Sequence, residues 1–577
     1  MHMPSLSLTA DPLQETAVQR NVDKSIQKPG LRGNPPLAAC GAGIRYRNIL
    51  VFYAGGVTLT PAELQKNVVP PQTAWIISSR INTVRGTVER YTLRTTLPLP
   101  PGPPADPIIG HLRVFSPAHQ HLLFQNWAAQ YGDIFHLNIL GQPLIVLNSV
   151  EVATDLLEKR GTNYSDRPTC TTFELMGWHA DLALMPYGPR WRKHRKMLQE
   201  YFNPTQCLSY IRDQAQEAHD LLKALLRAPE QFVKCTKSYT LSSIMRIAYG
   251  HRVLNYDNDV YIELAVGAMH ALDEAAAGIS LLDLFPSLQH VPHWFPGFSF
   301  LTAIPRRFRP ITRRLHEYPF EDVRKQMEIG VAQPSFVSSH LEHLGSTCVS
   351  DEELEDVKGA AALIATVGFD TTWTLIQMFI FTMLLFPEAQ RKAQSEIDRV
   401  VGLGRLPCSS DRGALPFVEC VLQETMRWHP VAPFGVAHKS RDEDEYKGML
   451  IPKGSIIIPN VIAMSRDERI YKDADSFYPE RFLPTPAGRG EPHFSAGFGF
   501  GRRICPGRHF ANNSAWLVVA SILATFDITK AVREDGSVIE PKVEFTMNGQ
   551  VSRPLPFKCT IRPRSEEAKE LINRPSD

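Results

Sequence analysis

The sequence predicts a mainly α-helical fold with small β-sheets. The longest apolar patterns have helical spacing and lie between capping residues and prolines, whereas extended runs are few and short. A chain of 577 residues with 43% hydrophobic side chains can bury at least one large core. Length alone would permit several domains, so the number of domains must come from the organisation of the chain.

The folded region is expected to begin at a proline cluster, residues 98–112, which stiffens the backbone and removes hydrogen-bond donors. Two extended runs about a Gly141-Gln142 turn follow and predict a β-hairpin. Residues 1–97 are polar, poorly periodic and dotted with Pro and Gly. We expect an N-terminal extension at 1–97, with no clear transmembrane anchor, and a folded domain at 98–577.

The helices are predicted from their ends. Ser350, with Glu353 three residues on, forms a capping box that opens a helix from Asp351 to about Phe386. Pro387 closes it and can open the next helix, which ends near Gly402. Further predicted elements are a helix over 415–430 stopped by Pro430, an extended run over 455–460, and a buried helix from Arg508.

Charge and cysteine usage exclude several classes of function. The chain has 62 basic and 60 acidic residues, a balance that argues against nucleic acid or an acidic polymer as the main partner. Its nine cysteines are scattered singly with no CxxC pair, so neither a zinc ribbon nor a dense disulfide framework is indicated. A reducing, intracellular setting fits this usage.

The stretch FGFGRRICPG, from Phe498 to Gly507, surrounds one cysteine with glycines and arginines. Cys505 directly precedes a predicted helix, where free N–H groups favour an anion, so we expect a thiolate that acts as nucleophile or metal ligand. Gly501 and Gly507 would let the backbone approach a flat, bulky group, and Phe498 would cover the sulfur. Arg503 would suit a nearby carboxylate. The alternative is a buried free cysteine beside a glycine turn.

At every defining position this stretch matches FxxGxRxCxG, the haem-binding loop of the cytochrome P450 family, and the sequence is identified as a member of that family. The resemblance covers about Pro98 to Pro563 and extends to fungal microsomal members such as O-methylsterigmatocystin oxidoreductases. It implies the cytochrome P450 fold, with a single large haem-binding domain that holds haem b. It also implies that Cys505 is the axial thiolate ligand of the haem iron and that Arg503 binds a haem propionate.

Two further motifs resemble the structural core of the family. ETMR places Glu424 and Arg427 three residues apart on a helix, a spacing that on its own indicates an ordinary surface ion pair. FYPERF resembles the PERF segment, whose arginine joins that helix pair in the family. The resemblance thus implies a buried triad of Glu424, Arg427 and Arg481 near the thiolate face of the haem.

Other matches implied by the resemblance concern the haem propionates. Trp191 and Arg195 lie four residues apart and resemble the WxxxR motif, which contacts the propionates. His438 lies in FGVAHKS, which resembles the strand after the ExxR helix, and is expected to be a further propionate donor. The other basic residues of the WxxxR helix are interpreted as a solvated face that could dock an acidic partner: Arg192, Lys193 and Lys196.

VGFDTTW resembles the oxygen-activating helix of the family. Asp370 and Thr371 match its acid-alcohol pair, which is expected to relay protons through water. The alternative is a threonine bonded only to its own helix backbone. Gly368 is expected to loosen the helix so that dioxygen fits. Val367 departs from the family, which has Ala or Gly there, and its extra bulk leaves the size of the substrate open.

The resemblance implies a haem-thiolate monooxygenase that inserts one atom of O2 into a hydrophobic organic substrate, in fungal secondary metabolism or xenobiotic oxidation. Its expected electron source is NADPH through NADPH-cytochrome P450 reductase, with cytochrome b5 as a second candidate donor, because the chain lacks a dinucleotide fingerprint of its own. The enzyme is expected to be a monomer on the cytosolic face of the endoplasmic reticulum membrane and to bind no nucleic acid.

The segment Leu281 to Phe300 is rich in aromatics and proline. It is either ordinary core and turns or, as in similar fungal enzymes, a roof over the substrate channel that touches the membrane peripherally. Residues 171–184 and the surroundings of Phe434 are apolar and are expected to line the pocket. A polycyclic or terpenoid-like substrate is therefore favoured.

Two rival functions stay open. A haem-thiolate isomerase or dehydratase would rearrange an oxygenated substrate without O2 or a reductase, and the intact Asp370-Thr371 pair argues against it. A non-catalytic haem-binding or sensor protein would bind haem alone. Substrate-dependent consumption of NADPH in the presence of a reductase would separate an enzyme from such a sensor.

Overall fold

The computed structural model describes residues 97–115, 120–253, 256–276, 280–292, 299–345, 350–546 and 550–575. The predicted extension, residues 1–97, lies outside the described residues apart from residue 97. Residues 293–298, within the aromatic segment singled out from the sequence, also lie outside them.

Helices make up most of the secondary structure, as predicted. They are α1 Gln120–Tyr131, α2 Val150–Ala153, which continues as a π-helix over Thr154–Lys159, α3 Gly161–Tyr164, α4 Thr171–Met176, α5 Pro189–Phe202, α6 Pro204–Ser209, α7 Ile211–Arg227, α8 Phe232–Tyr249, α9 Val260–Ala276, α10 Leu281–Leu284, α11 Ala303–Glu328, α12 Phe336–Leu344, α13 Asp351–Leu385, α14 Pro387–Val400, α15 Pro416–Trp428, α16 Val461–Ser465, α17 Arg508–Thr525 and α18 Glu566–Asn573.

The sheets are small, again as predicted. Their strands are β1 Ile134–Ile139, β2 Gln142–Leu147, β3 His438–Lys439, β4 Asp444–Tyr446, β5 Met449–Ile451, β6 Ile456–Pro459, β7 Phe526–Lys530 and β8 Cys559–Pro563. One sheet has the order β1-β2-β6-β3, in which only β2 and β6 are parallel. The pairs β4-β5 and β7-β8 are antiparallel ribbons.

The predicted hairpin forms, but its turn lies one residue earlier than expected. Ile139 pairs with Gln142, so Gln142 already belongs to β2. Leu140 and Gly141 make the turn with φ of 50° and 87°. Positive φ at both central residues matches the right-handed twist of the strands, and glycine adopts it without strain.

Helix α13 begins and ends where the sequence predicts. The side chain of Ser350 accepts a hydrogen bond from the backbone N–H of Glu353, and Glu353 completes the capping box. Pro387 opens α14. Both features act within one turn of a helix end, which is why the sequence alone predicts them.

Helix α13 runs through the core and positions the functional site. It packs against α8, α9, α11, α15 and α17. Among the described residues it is the one helix long and apolar enough to cross a membrane, but 83% of its most apolar window is buried inside the protein. Its apolar composition is accounted for by this central position, since a helix packed on all sides needs no polar face.

Candidate active site

Cys505 lies in a loop between the turn Gly501–Arg503 and the start of α17. The backbone N–H of Cys505 donates to the carbonyl of Phe498 at 2.8 Å, which folds the loop back on itself just before the helix. Cys505, Phe498 and Gly507 all line one large cavity. The structure therefore brings together the residues that the sequence assigns to the haem-binding loop.

Two of the three glycines in this loop, Gly501 and Gly507, were expected to make room for a flat group. Gly501 has a φ of +52°, and a Cβ there would meet the carbonyl oxygen of Leu157 at 2.5 Å. Close contact with the π-helix Thr154–Lys159, rather than room for a flat group, is thus what requires glycine at this position. A Cβ at Gly507 would lie 4.0 Å from the sulfur of Cys505. That is an ordinary contact distance, so a Cβ at Gly507 would lie beside the sulfur without a clash.

The cavity has a volume of about 320 Å³. That volume lies within the roughly 300–1,000 Å³ that is usual for ligand pockets. Helix α13 and the Cys505 loop form two of its walls. The α13 residues in contact with it are Leu363, Ile364, Val367, Gly368, Thr371, Thr372 and Leu375.

Two guanidinium groups line this cavity, that of the buried Arg167 and that of the partly buried Arg503. Both donate to backbone carbonyls at 2.7–3.0 Å: Arg167 to Ala183, Val436 and Ala437, and Arg503 to Ser165, Leu182 and Met185. No carboxylate among the described residues is hydrogen-bonded to either guanidinium. Burial lowers the pKa of both groups, to about 10 for Arg503, and the charge of Arg503 lowers that of Arg167 further.

These two neighbouring cations, Arg167 and Arg503, show whether the cavity suits haem. Buried like charges are costly unless an anion compensates them, and the two propionates of haem are such anions. The sequence analysis predicts Arg503 in this role but misses Arg167. The stretch around Arg167, SDRPTC, has no distinguishing pattern, and its contacts come from residues that are distant in sequence.

Trp191 and Arg195 lie on α5 and line the same cavity. The indole N–H of Trp191 is buried without a hydrogen-bond partner among the described residues, and its ring lies 4.5 Å from the guanidinium carbon of Arg503. Arg195 donates to the carbonyl of Ile504 at 2.5 Å, directly beside Cys505. An unpaired donor beside two cations fits an anionic acceptor in the cavity.

His438 lies on β3, is buried and also lines the cavity. Its Nδ1 lies 2.8 Å from the carbonyl oxygen of Tyr164. Burial lowers the pKa of His438 well below its ordinary value, so the ring is neutral and Nδ1 carries the hydrogen that this carbonyl accepts. In this neutral form Nε2 carries no hydrogen, so His438 can donate from Nε2 to a propionate only as the imidazolium cation. A neighbouring propionate would favour that charged form.

Thr371 reaches the cavity from α13. Its hydroxyl donates to the carbonyl of Val367 at 2.9 Å, so it is bonded to its own helix and keeps its lone pairs for other donors. Gly368 has a different role from the one expected. A Cβ there would meet Cγ1 of Ile244 at 2.7 Å, so glycine is needed for the close packing of α13 on α8.

Asp370 is adjacent to Thr371 in sequence, but its carboxylate is held elsewhere. Neighbouring residues on a helix project in different directions, and Asp370 is not among the described residues that line the cavity. The guanidinium of Arg553 donates to Oδ2 of Asp370 at 2.8 Å. Burial raises the pKa of Asp370, while Arg553 and Lys237 act in the opposite direction. The sequence analysis misses Arg553, which lies 183 residues away.

Glu424, Arg427 and Arg481 form the predicted triad, and all three are fully buried. Arg427 donates to both oxygens of Glu424 at 2.7 and 2.8 Å, and Arg481 donates to Oε1 at 3.0 Å. The backbone N–H of Tyr478 adds a fourth donor at 2.7 Å. The interpretation of Glu424 and Arg427 as an exposed pair is thereby excluded.

The surroundings of Phe434 line the cavity as expected, through Gly435 and Val436. Phe434 itself packs against Phe124 with ring centroids 5.3 Å apart, and β1, β2 and α1 enclose it.

One smaller expectation needs correction. Lys193 is not simply solvated. Its ammonium group lies 2.9 Å from the buried carboxylate of Asp356, at the start of α13.

The protonation of Cys505 also differs from the expectation. Burial raises the pKa of its thiol, and the N–H groups of Gly507 and Arg508 with the charge of Arg195 only partly oppose this. The start of the helix does not by itself produce a thiolate, since burial outweighs it. A bound metal ion would produce the thiolate, because a coordinating thiol loses its proton.

The Cys505 loop and the arginines that line the same cavity, Arg167, Arg195 and Arg503, form a cationic edge and are the features expected of a haem-thiolate protein. The sequence model of the cytochrome P450 family matches residues 100–558, and the chain belongs to that family. It is 39% identical to cytochrome P450 monooxygenase 136 of Postia placenta over 84% of this chain and 92% of the relative. It is 38% identical to a cytochrome P450 monooxygenase of Armillaria gallica over 83% of this chain and 95% of the relative. It is also 38% identical to cytochrome P450 monooxygenase claR of Ampulloclitocybe clavipes, over 83% of this chain and 90% of the relative.

Proposed function

We propose that this protein is a haem-thiolate monooxygenase that inserts one atom of O2 into a hydrophobic organic substrate. The observation that carries the proposal is that Cys505 and Thr371 line the same cavity. The relatives named above are all cytochrome P450 monooxygenases, which supports the same class and the link to fungal secondary metabolism. Haem, when bound, supplies the activation of dioxygen at its iron.

The residues of the cavity have distinct tasks in this proposal. The sulfur of Cys505 binds the iron, and Gly507 lies beside it. Arg167, Arg503 and the indole N–H of Trp191 hold the propionates, with Arg195 and His438 completing that edge. Because the three arginines are already oriented by backbone carbonyls, little reorganisation is needed when the cofactor binds.

Oxygen activation consumes protons, and the chain must deliver them to the cavity. Two threonines of α13, Thr371 and Thr372, line the cavity, and Thr371 is the one that matches the family's acid-alcohol pair. Its hydroxyl can donate to the cavity after turning away from the carbonyl of Val367. Asp370 supplies protons to Thr371 through water. General acid-base assistance of this kind is worth about 10²–10⁴ in rate.

The substrate is expected to be apolar. The wall contributed by Leu182, Leu363, Ile364 and Val431 offers mainly hydrocarbon surface, which favours a polycyclic or terpenoid-like molecule. Val367 lines the same space and narrows it relative to the small residue usual in the family. Such a wall also excludes water, which limits the wasteful release of reduced oxygen.

Electrons come from NADPH through NADPH-cytochrome P450 reductase, with cytochrome b5 as a second candidate donor, in this proposal. Arg192 and Lys196, on the exposed face of α5, are suited to an acidic partner. The exposed side chains of Leu281, Phe285 and Phe300 support contact with the endoplasmic reticulum membrane. The protein acts there as a monomer on the cytosolic face.

The two rival functions remain testable. An isomerase or dehydratase would need the haem and the cavity but no proton delivery to reduced oxygen, and a sensor would need neither substrate chemistry nor a reductase. The hydroxyl of Thr371 in the cavity favours the monooxygenase, because neither rival has a use for it.

Replacing Thr371 by Ala tests the proposal. Haem content should survive, because Cys505 and the cationic edge are untouched. With reductase and substrate present, NADPH and O2 should still be consumed, but product per NADPH should fall by about tenfold or more while hydrogen peroxide rises. The measurement is the ratio of product, peroxide and NADPH in one assay.

Thr366→Ala is the matched control. Thr366 lies on the same helix, donates to the carbonyl of Ala362 at 2.8 Å and is fully buried away from the cavity. It should keep the wild-type ratio. Product per NADPH that is equal in both variants and in the wild type would contradict the role of Thr371. Product formed without reductase would indicate an isomerase instead.

A further inference from the structure

One buried carboxylate of α13, that of Asp356, contacts three side chains of α5. Arg190 donates to it from Nε at 2.8 Å, and Lys193 donates from Nζ at 2.9 Å. Nε2 of His194 lies 2.9 Å from the same carboxylate. Asp356 is 2% exposed and His194 is fully buried, so the contact between the two helices is sealed at its centre.

The first turn of α5 lacks the electrostatic support that helix starts usually have. Its N-cap is a glycine, and no acidic residue lies in the first turn. Arg190 and Lys193 lie near this end instead, although the partial positive charge of a helix start disfavours cations. Among the described residues, Asp356 and Glu352 form the ion pairs with α5, and Glu352 is 74% exposed with its contact at 4.0 Å. Asp356 is therefore the buried group that offsets this charge.

The neighbouring face of α5 carries part of the cationic edge of the cavity. Trp191 and Arg195 each follow a residue that contacts Asp356, namely Arg190 and His194. Since successive residues lie about 100° apart around a helix, the face that contacts Asp356 and the face toward the cavity are adjacent. Trp191 and Arg195 line the cavity. A contact that fixes the rotation of this helix start therefore also fixes the direction of Trp191 and Arg195.

We propose that Asp356 is a positioning residue for the haem site, which holds the start of α5 so that Trp191 and Arg195 face the propionates. The inference rests on the proposed function, in which α5 forms part of the propionate edge. Without the carboxylate, Arg190 and Lys193 repel each other three residues apart and oppose the helix dipole. Because these two side chains are 34% and 46% exposed, both can turn into solvent, and the first turns of α5 loosen.

A contribution to overall stability alone is less consistent with the packing of α5. Apolar side chains anchor its C-terminal half, where Met197, Leu198 and Phe202 are buried in the core. In its N-terminal half the buried side chains are Trp191 and His194, so this half depends more on the charge contributed by α13. Since the cations can reach solvent, losing the carboxylate should leave the rest of the protein folded. The expected effect is therefore local to the start of α5.

Asp356→Asn in the full-length, haem-loaded protein is the central test. The amide keeps the shape of the side chain but removes its charge. Haem should pass to excess apomyoglobin about tenfold faster than from wild type, as is typical when a residue that orients a ligand-binding side chain is lost. Glu217→Gln is the matched control, because Glu217 is 9% exposed and pairs with Arg246 on a neighbouring helix. Neither of these two residues is among the described ones that line the cavity, so this variant should release haem at the wild-type rate.

Hydrogen exchange measured by mass spectrometry gives a readout that does not depend on turnover. In Asp356→Asn, the backbone amides of residues 190–195 should exchange faster than in wild type, because the start of α5 opens more often. The amides of residues 197–202 should keep their wild-type rates, since apolar packing holds that half of the helix. A protein that is merely destabilised would instead exchange faster throughout α5, and that result would contradict the proposal.

Removing the cations tests the cause. When Arg190→Gln and Lys193→Gln are added to Asp356→Asn, the charge that Asp356 offsets is gone, and most of the haem retention should return. Wild-type haem release from Asp356→Asn, or equally fast release from Glu217→Gln, would overturn the proposal. If Asp356→Asn does not retain haem, the triple variant decides, and failure to recover haem there speaks against Asp356. A wild-type protein that retains haem but forms no oxygenated product refutes the proposed function, whereas haem release and hydrogen exchange still decide the role of Asp356.

Discussion

Glu424 and Asp370 are both buried carboxylates paired with arginine, yet their surroundings differ. Glu424 accepts four hydrogen bonds, from Arg427, Arg481 and the backbone of Tyr478, and all members of its triad are fully buried. Asp370 accepts one described hydrogen bond, from Arg553, whose side chain is 19% exposed. The first carboxylate is sealed together with its partners, whereas the second has a partly exposed partner.

One fold thus contains two arginine–carboxylate pairs in different environments. A fully bonded, sealed carboxylate locks helix α15 to the PERF segment, because none of its oxygens is left without a donor. A carboxylate with fewer donors and a solvent-exposed partner can change its protonation state. We therefore expect mutation of Glu424 to affect folding and mutation of Asp370 to affect turnover.

The largest expected effect is that of Glu424→Ala. It leaves the buried guanidinium of Arg427 without a carboxylate, while Arg481 keeps only its ion pair with Glu491. The expected loss is about 3–5 kcal/mol in the free energy of unfolding. That is a large part of the usual stability of a domain. Little haem-loaded protein should be recovered, as measured by purified yield and haem content.

Glu419→Ala is its control, on the same helix. Glu419 pairs with Arg412 at 2.8 Å, but both side chains are partly exposed, so the loss should be about 1 kcal/mol or less. If the yields of the two variants are equal, the triad does not hold the fold together and the contrast with Asp370 disappears.

Asp370→Asn should have a smaller effect on the protein but a large one on catalysis. The amide keeps the shape of the side chain and can still contact Arg553, so haem content should be close to wild type. It cannot exchange a proton, and product formation should slow by about a hundredfold. Steady-state product formation alongside haem content measures both. Unchanged turnover would place Asp370 with Glu424, as a structural residue.

The smallest expected effect concerns Asp356, a buried carboxylate with an intermediate environment. Burial alone would raise its pKa, but hydrogen bonds from His194, Lys193 and Arg190 outweigh it and lower the pKa to about 2. Its stabilising effect is therefore present above the ordinary pKa of an aspartate and is lost as the pH falls toward 2.

Wild-type protein should lose on the order of 1–2 kcal/mol of stability through this group between about pH 4 and 2, measured by denaturant unfolding at each pH. Asp356→Asn should not show this loss of stability between about pH 4 and 2. Asp213→Asn, which removes a half-exposed carboxylate paired with Arg246, should leave it in place. Identical acid profiles for all three proteins would show that Asp356 is not held ionised.

The parts of this structure that follow from neighbours in sequence were predictable. The capping box at Ser350, the start of α14 at Pro387 and the loop around Cys505 depend on residues within a few positions of one another. The triad was predictable because two of its members lie on one helix and the third lies in a recognisable segment.

Contacts between distant segments were not predictable from the sequence. Arg553 pairs with Asp370, and Arg167 reaches the cavity, only because the fold brings their segments together. The steric requirement for glycine at Gly368 and Gly501 could not be predicted either, since at each position the close contact is with a residue on another helix. The burial of Cys505, which opposes a thiolate, likewise depends on the complete fold.

The most direct test of the account is the spectrum of the reduced carbon-monoxide complex of Cys505→Ser. In the proposed function the sulfur of Cys505 binds the haem iron, and a hydroxyl cannot supply thiolate donation. Wild type and Cys559→Ser, which alters a similarly half-buried free cysteine, should both show the red-shifted Soret band. Cys505→Ser should lack it, and retention of that band would contradict the haem-thiolate assignment on which the proposed function rests.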